Sequence, residues 1–152
     1  MIKALRDAVA AQFATVAAAH APGFTAGRDI YHERQAEGGP FLTLQSAGFP
    51  NSEPALVDPM VGTLGGGWQV DFLIEAQLVS EDRDTRDTLL LQAQRAADEL
   101  VKRPYPHASI MFMQIAPEGS RRADTADNST QTIADLLIPI RVDFYADSLS
   151  EG

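Results

Sequence analysis

The sequence lacks cysteine entirely, and it contains no apolar run of about 18 residues, the length that would suggest a membrane-spanning helix. The missing cysteines exclude disulfides, thiolate nucleophiles and cysteine-based zinc sites, and they suit a reducing cytosol. Residues 1–7 interleave charged and apolar side chains without a separate hydrophobic segment. We therefore expect no membrane span and no secretory signal peptide.

Positive charge is also scarce. Lysine and arginine together number 12 against 21 acidic residues, which gives a formal net charge of −9. The only adjacent basic pairs are Lys102–Arg103 and Arg121–Arg122. Because a nucleic-acid interface needs a basic stripe, this composition argues against one. Solubility is the simplest explanation of the acidity, and repulsion of passing DNA is the alternative.

The most informative segment that is present begins at Trp68. Apolar side chains occupy every second position from there to Leu78, with mostly polar side chains between them. This period of two predicts a strand over residues 68–79 with one buried and one solvated face. Ser80–Asp84 then supplies N-cap residues and first-turn acids, and an apolar stripe predicts a helix that Pro104 ends.

Weaker patterns predict the other elements. Apolar residues at steps of three and four predict a first helix from Ile2 to His20, and its alanine-rich back suits either simple helix propensity or a close neighbour. The further predicted strands are a hairpin of Arg28–Arg34 with Phe41–Ala47, then Ser109–Ile115 and Ile133–Tyr145. Pro139 lies in the last of these strands, where it predicts a sheet edge or a bulge because proline cannot donate to a strand ladder.

These elements predict one α+β domain over residues 1–152. We expect a mostly antiparallel sheet of four to five strands with two helices packed on one face, in the order α-β-β-β-α-β-β. Long loops are predicted at 48–67 and 117–132, and a frayed tail at 147–152. The first loop holds apolar residues among its glycines and prolines. It is interpreted either as an arm that packs on a partner or as a lid over its own core.

Motifs that would carry chemistry are weak. The three histidines, His20, His32 and His107, have no metal-ligand spacing. The glycine-rich stretch Gly62–Gly67 precedes a strand, so it lacks the lysine and the helix start that a phosphate-binding loop needs. No serine has a Gly-x-Ser-x-Gly setting. The sequence therefore predicts no catalytic residue, no cofactor and no metal site, and we interpret the chain as a non-enzyme.

The order of elements resembles that of the tail-terminator proteins of long-tailed bacteriophages and related tail-like particles. The likeness covers most of the chain as topology and lies in Phe41–Leu44, Gly67–Glu75, Asp84–Leu100 and Leu136–Tyr145. Proteins of that family are small and acidic, and they open with an amphipathic helix. Two strands, a long loop, a long alternating strand, a helix and closing strands follow.

The resemblance implies a structural protein of the virion tail, assembled in the host cytoplasm. It would form a homo-hexameric ring that caps the tail tube, stops its polymerisation and joins it to the head–tail connector. DNA would pass through the acidic lumen without specific binding. The two long loops would then carry the assembly interface. Its predicted residues are Phe49, Glu53, Leu56, Asp58, Met60, Leu64, Arg121 and Arg122. The alternative is a small-molecule-binding or enzymatic α/β domain with loop 48–67 as a lid.

Overall fold

The computed structural model describes residues 2–28, 39–46, 57–59, 67–126 and 131–145. Within these ranges the chain is an α+β domain of two helices and one mostly antiparallel sheet, as predicted. The described sheet has seven strands, more than the four to five expected. In chain order the elements are α1 Ile2–His20, β1 Thr25–Arg28, β2 Phe41–Ser46, β3 Val57–Pro59, β4 Gly67–Ser80, α2 Arg83–Leu100, β5 Ile110–Ile115, β6 Arg121–Ala126 and β7 Thr132–Tyr145.

The sheet is organised around its two longest strands. β4 and β7 are each 14 residues long and pair antiparallel over their full length, from Gly67 opposite Tyr145 to Ser80 opposite Thr132. β2 and β3 follow one another along the other edge of β4, and β5 and β6 do the same along the outer edge of β7. β1 extends the sheet by pairing parallel with β2.

Alternation along β4 and β7 separates two faces, as the sequence predicts. The side that we call the closed face is apolar and buried. It contains Val70, Phe72, Ile74, Ala76 and Leu78 from β4, and Ala134, Leu136, Ile138, Ile140, Val142 and Phe144 from β7. Both helices cover it, α1 through Leu5, Val9 and Phe13 and α2 through Leu90, Ala93 and Ala97. The intervening residues, from Gln69 to Gln77 and from Ile133 to Asp143, form the open face and are partly exposed.

The start of α2 is the predicted one. Asp82 is the N-cap, and its carboxylate accepts hydrogen bonds from the Asp84 backbone N–H at 3.2 Å and from the Thr85 hydroxyl at 2.6 Å. The first of these bonds satisfies a backbone N–H that has no partner inside the helix. They also lower the pKa of Asp82, first through Thr85 and then through Asp84.

The predicted hairpin near the N-terminus is wrong. The described partner of β2 on that side is β1, which ends at Arg28 where the predicted strand begins, and the two strands run parallel. Turn residues such as Gly38 and Gly39 suggested a direct reversal, but the sequence pattern does not report strand direction. Residues 29–34 of that prediction lie outside the described residues.

Both predicted long loops contain a strand. In the segment 117–132, Arg121–Ala126 pairs with β7 as β6, and in the segment 48–67, Val57–Pro59 pairs with β4 as β3. The sequence pattern did not indicate these strands, because β6 is polar and β3 contains a proline. Edge strands tolerate both features. The rest of loop 48–67 before Gly67, residues 127–130 and the predicted frayed tail at 147–152 lie outside the described residues.

Pro139 sits in the interior of the sheet but beside an interruption in it. β5 ends opposite Ile140, and β6 begins opposite Leu137. The carbonyl of Pro139 faces this interruption, where it accepts a hydrogen bond from the Ala116 N–H at 2.8 Å. In an antiparallel strand the nitrogen of a residue points to the same side as its carbonyl. The missing N–H of Pro139 would therefore point into the interruption, where no strand offers it an acceptor.

Candidate functional site

The two predicted interface arginines of β6 have separate roles, because neighbouring strand residues point to opposite faces. Arg121 lies opposite Leu137 and therefore on the open face, where it is exposed. It makes no hydrogen bond or ion pair with the part of the chain that the structure describes. Arg122 lies opposite Leu136 and points toward α2. The guanidinium of Arg121 is therefore available to a partner.

Arg122 joins β6 to α2 within the chain. Its Nη2 lies 2.8 Å from Asp87 Oδ1, and its Nε lies 2.8 Å from Asp124 Oδ1. Asp124 also lies 3.5 Å from the Nε of Arg86, whose Nη1 donates to the carbonyl of Ser80 at 2.9 Å. We call Arg86, Asp87, Arg122 and Asp124 the ion cluster. These ion pairs lie within the chain, and a contact of Arg122 with a neighbouring subunit or the tube protein stays a prediction.

The ion cluster shifts the pKa values of Arg122 and Asp124. Hydrogen bonds from Arg122 lower the pKa of Asp124, and the bonds to Asp124 and Asp87 raise the pKa of Arg122. Arg86 is buried, and sequence reasoning missed it. The signal was its position four residues before Leu90, on the same stripe of α2 as the buried apolar residues. A charged residue on such a stripe indicates a paired partner in the fold.

The open face carries charges as well as apolar side chains. Arg141 lies opposite Asp71 in the β4–β7 register, and its Nε is 3.5 Å from Asp71 Oδ1. Asp143 follows on the same face, two residues along β7. Burial raises the pKa of Asp143, Arg141 acts in the opposite direction, and Asp71 adds to the increase. Two carboxylates thus share one arginine.

An apolar patch borders these carboxylates at the outer corner of the sheet. Phe112 lies opposite Asp143, and Tyr145 follows two residues later on the same face of β7. Met111 occupies a β-bulge between Ile110 and Phe112. Met111, Phe112 and Tyr145 are 41%, 44% and 48% exposed. We call Met111, Phe112, Asp143 and Tyr145 the aromatic corner.

Sequence reasoning missed this corner because it treated β5 as a regular alternating strand. Regular alternation would separate Met111 and Met113 from Ile110 and Phe112. In the structure the bulge puts Ile110 and Met113 together in the core and leaves Met111 and Phe112 outside. The extra residue of a bulge changes which side chains share a face, and the sequence carries no clear signal of it.

Features suggestive of chemistry are sparse in the described ranges. His107 accepts a hydrogen bond at Nδ1 from the Ser109 backbone N–H at 3.1 Å, so it organises the turn before β5. A shallow depression beside the start of α2 is lined by Asp82, Asp84, Thr85, Thr88 and Leu89, and its Asp82 carboxylate is already used as the helix cap. In the described ranges no three histidine or acidic side chains come together as a metal site.

Of the other predicted interface residues, Asp58 lies in β3 opposite Gln69 of β4. Phe49, Glu53, Leu56, Met60 and Leu64 lie outside the described residues.

Neither described helix is long and apolar enough to cross a membrane. No protein-family model matches this chain, and no curated protein sequence matches it.

Proposed function

We propose that this protein is a structural subunit of a phage-type tail, a terminator that closes as a ring of six copies on the end of the tail tube. The observation that carries the proposal is a sheet whose two described helices both lie on one face, with a mixed polar and apolar open face and an exposed aromatic corner. Such surfaces suit a subunit that is completed by neighbours. The order of its long elements is the one on which the resemblance to tail terminators rests.

The proposed mechanism is geometric. Contacts between two different surfaces of adjacent copies close into a ring when their rotation fits a whole number of subunits. The ring then covers the last ring of tail-tube protein and presents its other side to the head–tail connector. Six copies bring six times the formal charge of −9, so DNA in the lumen is repelled rather than held. This function requires no catalytic step and no cofactor, and it places the protein in the virion tail.

Three of the predicted interface residues, Arg121, Asp58 and Arg122, lie in the described part of the chain. Arg121 stands on the open face without an ion pair in the described part of the chain, which supports its role in an interface. Asp58 lies at the edge where β3 meets β4. Arg122 stays in the proposed interface as well as in the ion cluster, since its side chain is 38% exposed.

A capping experiment tests the proposed function. The purified chain is added to polymerising tail-tube protein from the same particle, and tube lengths are measured by negative-stain electron microscopy. We expect short tubes that carry a ring at one end, whereas an unrelated acidic protein at the same concentration leaves the tubes long. Tubes of unchanged length with no ring at their ends would contradict the proposal.

The same material tests the alternative, a small-molecule-binding or enzymatic α/β domain. For such a domain we expect a small molecule to raise the melting temperature while the chain stays monomeric and does not affect tube length. A tail terminator is expected to act on tubes without any small ligand. The two functions therefore differ in both measurements.

A further inference from the structure

The outer side of α2 carries an apolar residue next to an arginine. Leu91 is 52% exposed, and Arg95 lies one turn further along the helix and is exposed too. Side chains four residues apart on a helix are neighbours on its surface. Arg95 makes no hydrogen bond or ion pair with the described residues. We call Leu91 and Arg95 the α2 knob.

The aromatic corner has the complementary composition. Of the four large apolar side chains that are exposed in the described ranges, three belong to the corner and the fourth is Leu91 of the knob. The corner is acidic, since Asp143 and the neighbouring Asp71 share the single arginine Arg141. One patch therefore joins apolar side chains to carboxylates, and the other joins Leu91 to the guanidinium of Arg95.

The two patches cannot meet within one chain. The buried side of α2 packs on the closed face of the sheet, so the knob points away from the sheet. Phe112, Asp143 and Tyr145 lie on the other side of the sheet, the open face. A contact between the knob and the corner therefore requires two copies, and it joins two different surfaces. This is the head-to-tail kind of contact that builds rings.

We propose that the α2 knob of one copy docks on the aromatic corner of a second copy. Leu91 packs against Met111 and Phe112, and the Arg95 guanidinium lies between Asp71 and Asp143 with its flat side toward the Phe112 ring. This inference rests on the proposed function and names the contact between subunits of the ring.

Charge favours a second copy as the occupant. The chain is acidic overall, so two copies repel each other except where opposite charges are brought together. The knob supplies the cation that the corner lacks. Burial already raises the pKa of Asp143, and a guanidinium beside that carboxylate would offset the cost of keeping it charged.

Chemical cross-linking tests the contact directly, because the chain has no cysteine of its own. Thr88→Cys places a thiol one turn from Leu91, and Gln114→Cys places one beside Phe112 on the open face, so the contact residues stay intact. A short bis-maleimide is then added to the double variant. We expect a ladder of covalent dimers, trimers and larger species, since each copy uses a different thiol toward each neighbour. Each single-cysteine variant is expected to give no ladder.

Two controls make the result specific. Ala14→Cys with Gln114→Cys carries the same number of thiols but places one on the exposed side of α1, and we expect no ladder from it. Added to the Thr88→Cys, Gln114→Cys background, Arg95→Glu is expected to lower the ladder yield about tenfold, and Arg83→Glu at the start of the same helix to leave it unchanged. Asp143→Arg together with Arg95→Glu in one chain is expected to restore the ladder.

The inference is overturned if the α1 control pair gives an equal ladder, or if Arg95→Glu does not change the yield. Its failure can be distinguished from failure of the proposed function. Wild-type protein that caps tubes while the cross-linked pair gives no ladder refutes only this contact. A ladder that depends on Arg95, from a protein that leaves tubes unaffected, supports the contact and refutes the tail function.

Discussion

The closed face and the open face of β4 and β7 differ in composition. Side chains on the closed face are apolar and almost wholly buried under the helices. Carboxylates, glutamines and an arginine lie on the open face together with leucine and proline. Both faces come from the same alternating segments, so secondary structure does not distinguish them. What differs is the source of stability. The closed face stabilises the fold by removing apolar surface from water, and the open face is left for interactions that contribute little to the isolated chain.

β6 shows the same contrast at the scale of two residues. Arg122 points to the helix side and joins the ion cluster, while Arg121 points to the open face and has no ion pair in the described ranges. Ion pairs therefore attach the polar edge strand β6 to α2. The long strands β4 and β7 are instead attached to the helices by apolar packing. The lesson is that the same residue type serves the fold on one face and remains available to partners on the other.

The strongest test of the two faces substitutes adjacent residues of β4. Phe72→Ala removes a ring that is 2% exposed on the closed face, and we expect it to lower the free energy of unfolding by about 3–5 kcal/mol through lost burial and a cavity. Leu73→Ala, on the open face, is expected to cost less than about 1 kcal/mol. Urea denaturation of both variants measures the difference, and equal costs would show that the open face is packed as tightly as the closed one.

A smaller effect is expected within β6. Arg122→Ala leaves Asp87 and Asp124 without their shared partner, so we expect it to lower the free energy of unfolding by about 1 kcal/mol. Arg121→Ala is the matched control and is expected to change stability by less than about 0.5 kcal/mol. Equal losses in thermal or urea unfolding would mean that the ion cluster does not anchor the strand.

The ion-cluster effect should also depend on pH. The pKa of Asp124 is lower in the folded protein than its ordinary value of 3.8, so its contribution is present above that value and is lost as the pH falls toward the lowered one. We therefore expect the stability difference between wild type and Arg122→Ala to shrink in acid. A difference that stays constant from neutral pH to pH values well below 3.8 would contradict this origin.

The smallest expected effect has the opposite sign. Burial raises the pKa of Asp143 above 3.8, so the charged carboxylate disfavours folding at neutral pH, and this cost disappears as the pH falls below the raised value. We expect Asp143→Asn to stabilise the chain by about 0.5 kcal/mol at neutral pH and to have no stabilising effect in acid. Asp71→Asn is the control and should not stabilise, because it removes the ion pair with Arg141. Destabilisation by Asp143→Asn at neutral pH would show that the carboxylate serves the isolated fold.

Sequence reasoning predicted the parts of the fold whose signal is repeated many times along the chain. The buried side of β4, the buried side of β7 and the apolar stripe of α2 were all identified, because each residue set obeys one period over many positions. The prediction was wrong for β1, β3 and β6, which are short or polar and owe their pairing to distant partners. The N-cap of α2 was found because capping depends on local chemistry alone.

The candidate surfaces were less predictable than the fold. Arg121 and Arg122 were selected together as an adjacent pair, and their separation depends on the register of β6 against β7. The aromatic corner depends on one bulge in β5, which shifts Met111 and Phe112 out of the core. Neither register nor bulge is encoded in residues that are close together in the sequence.

The amino-acid sequence is thus enough to predict an acidic, cysteine-free α+β chain, the two faces of its long strands, and the cap and buried stripe of its second helix. These follow from charge, from periodicity and from contacts between neighbours in the chain. Tertiary pairing sets which arginine of β6 joins the ion cluster, the parallel direction of β1 and β2, and the place where exposed apolar side chains gather beside carboxylates. Those outcomes depend on pairing between strands far apart in the sequence, where a shift of one residue reverses the face that each side chain occupies.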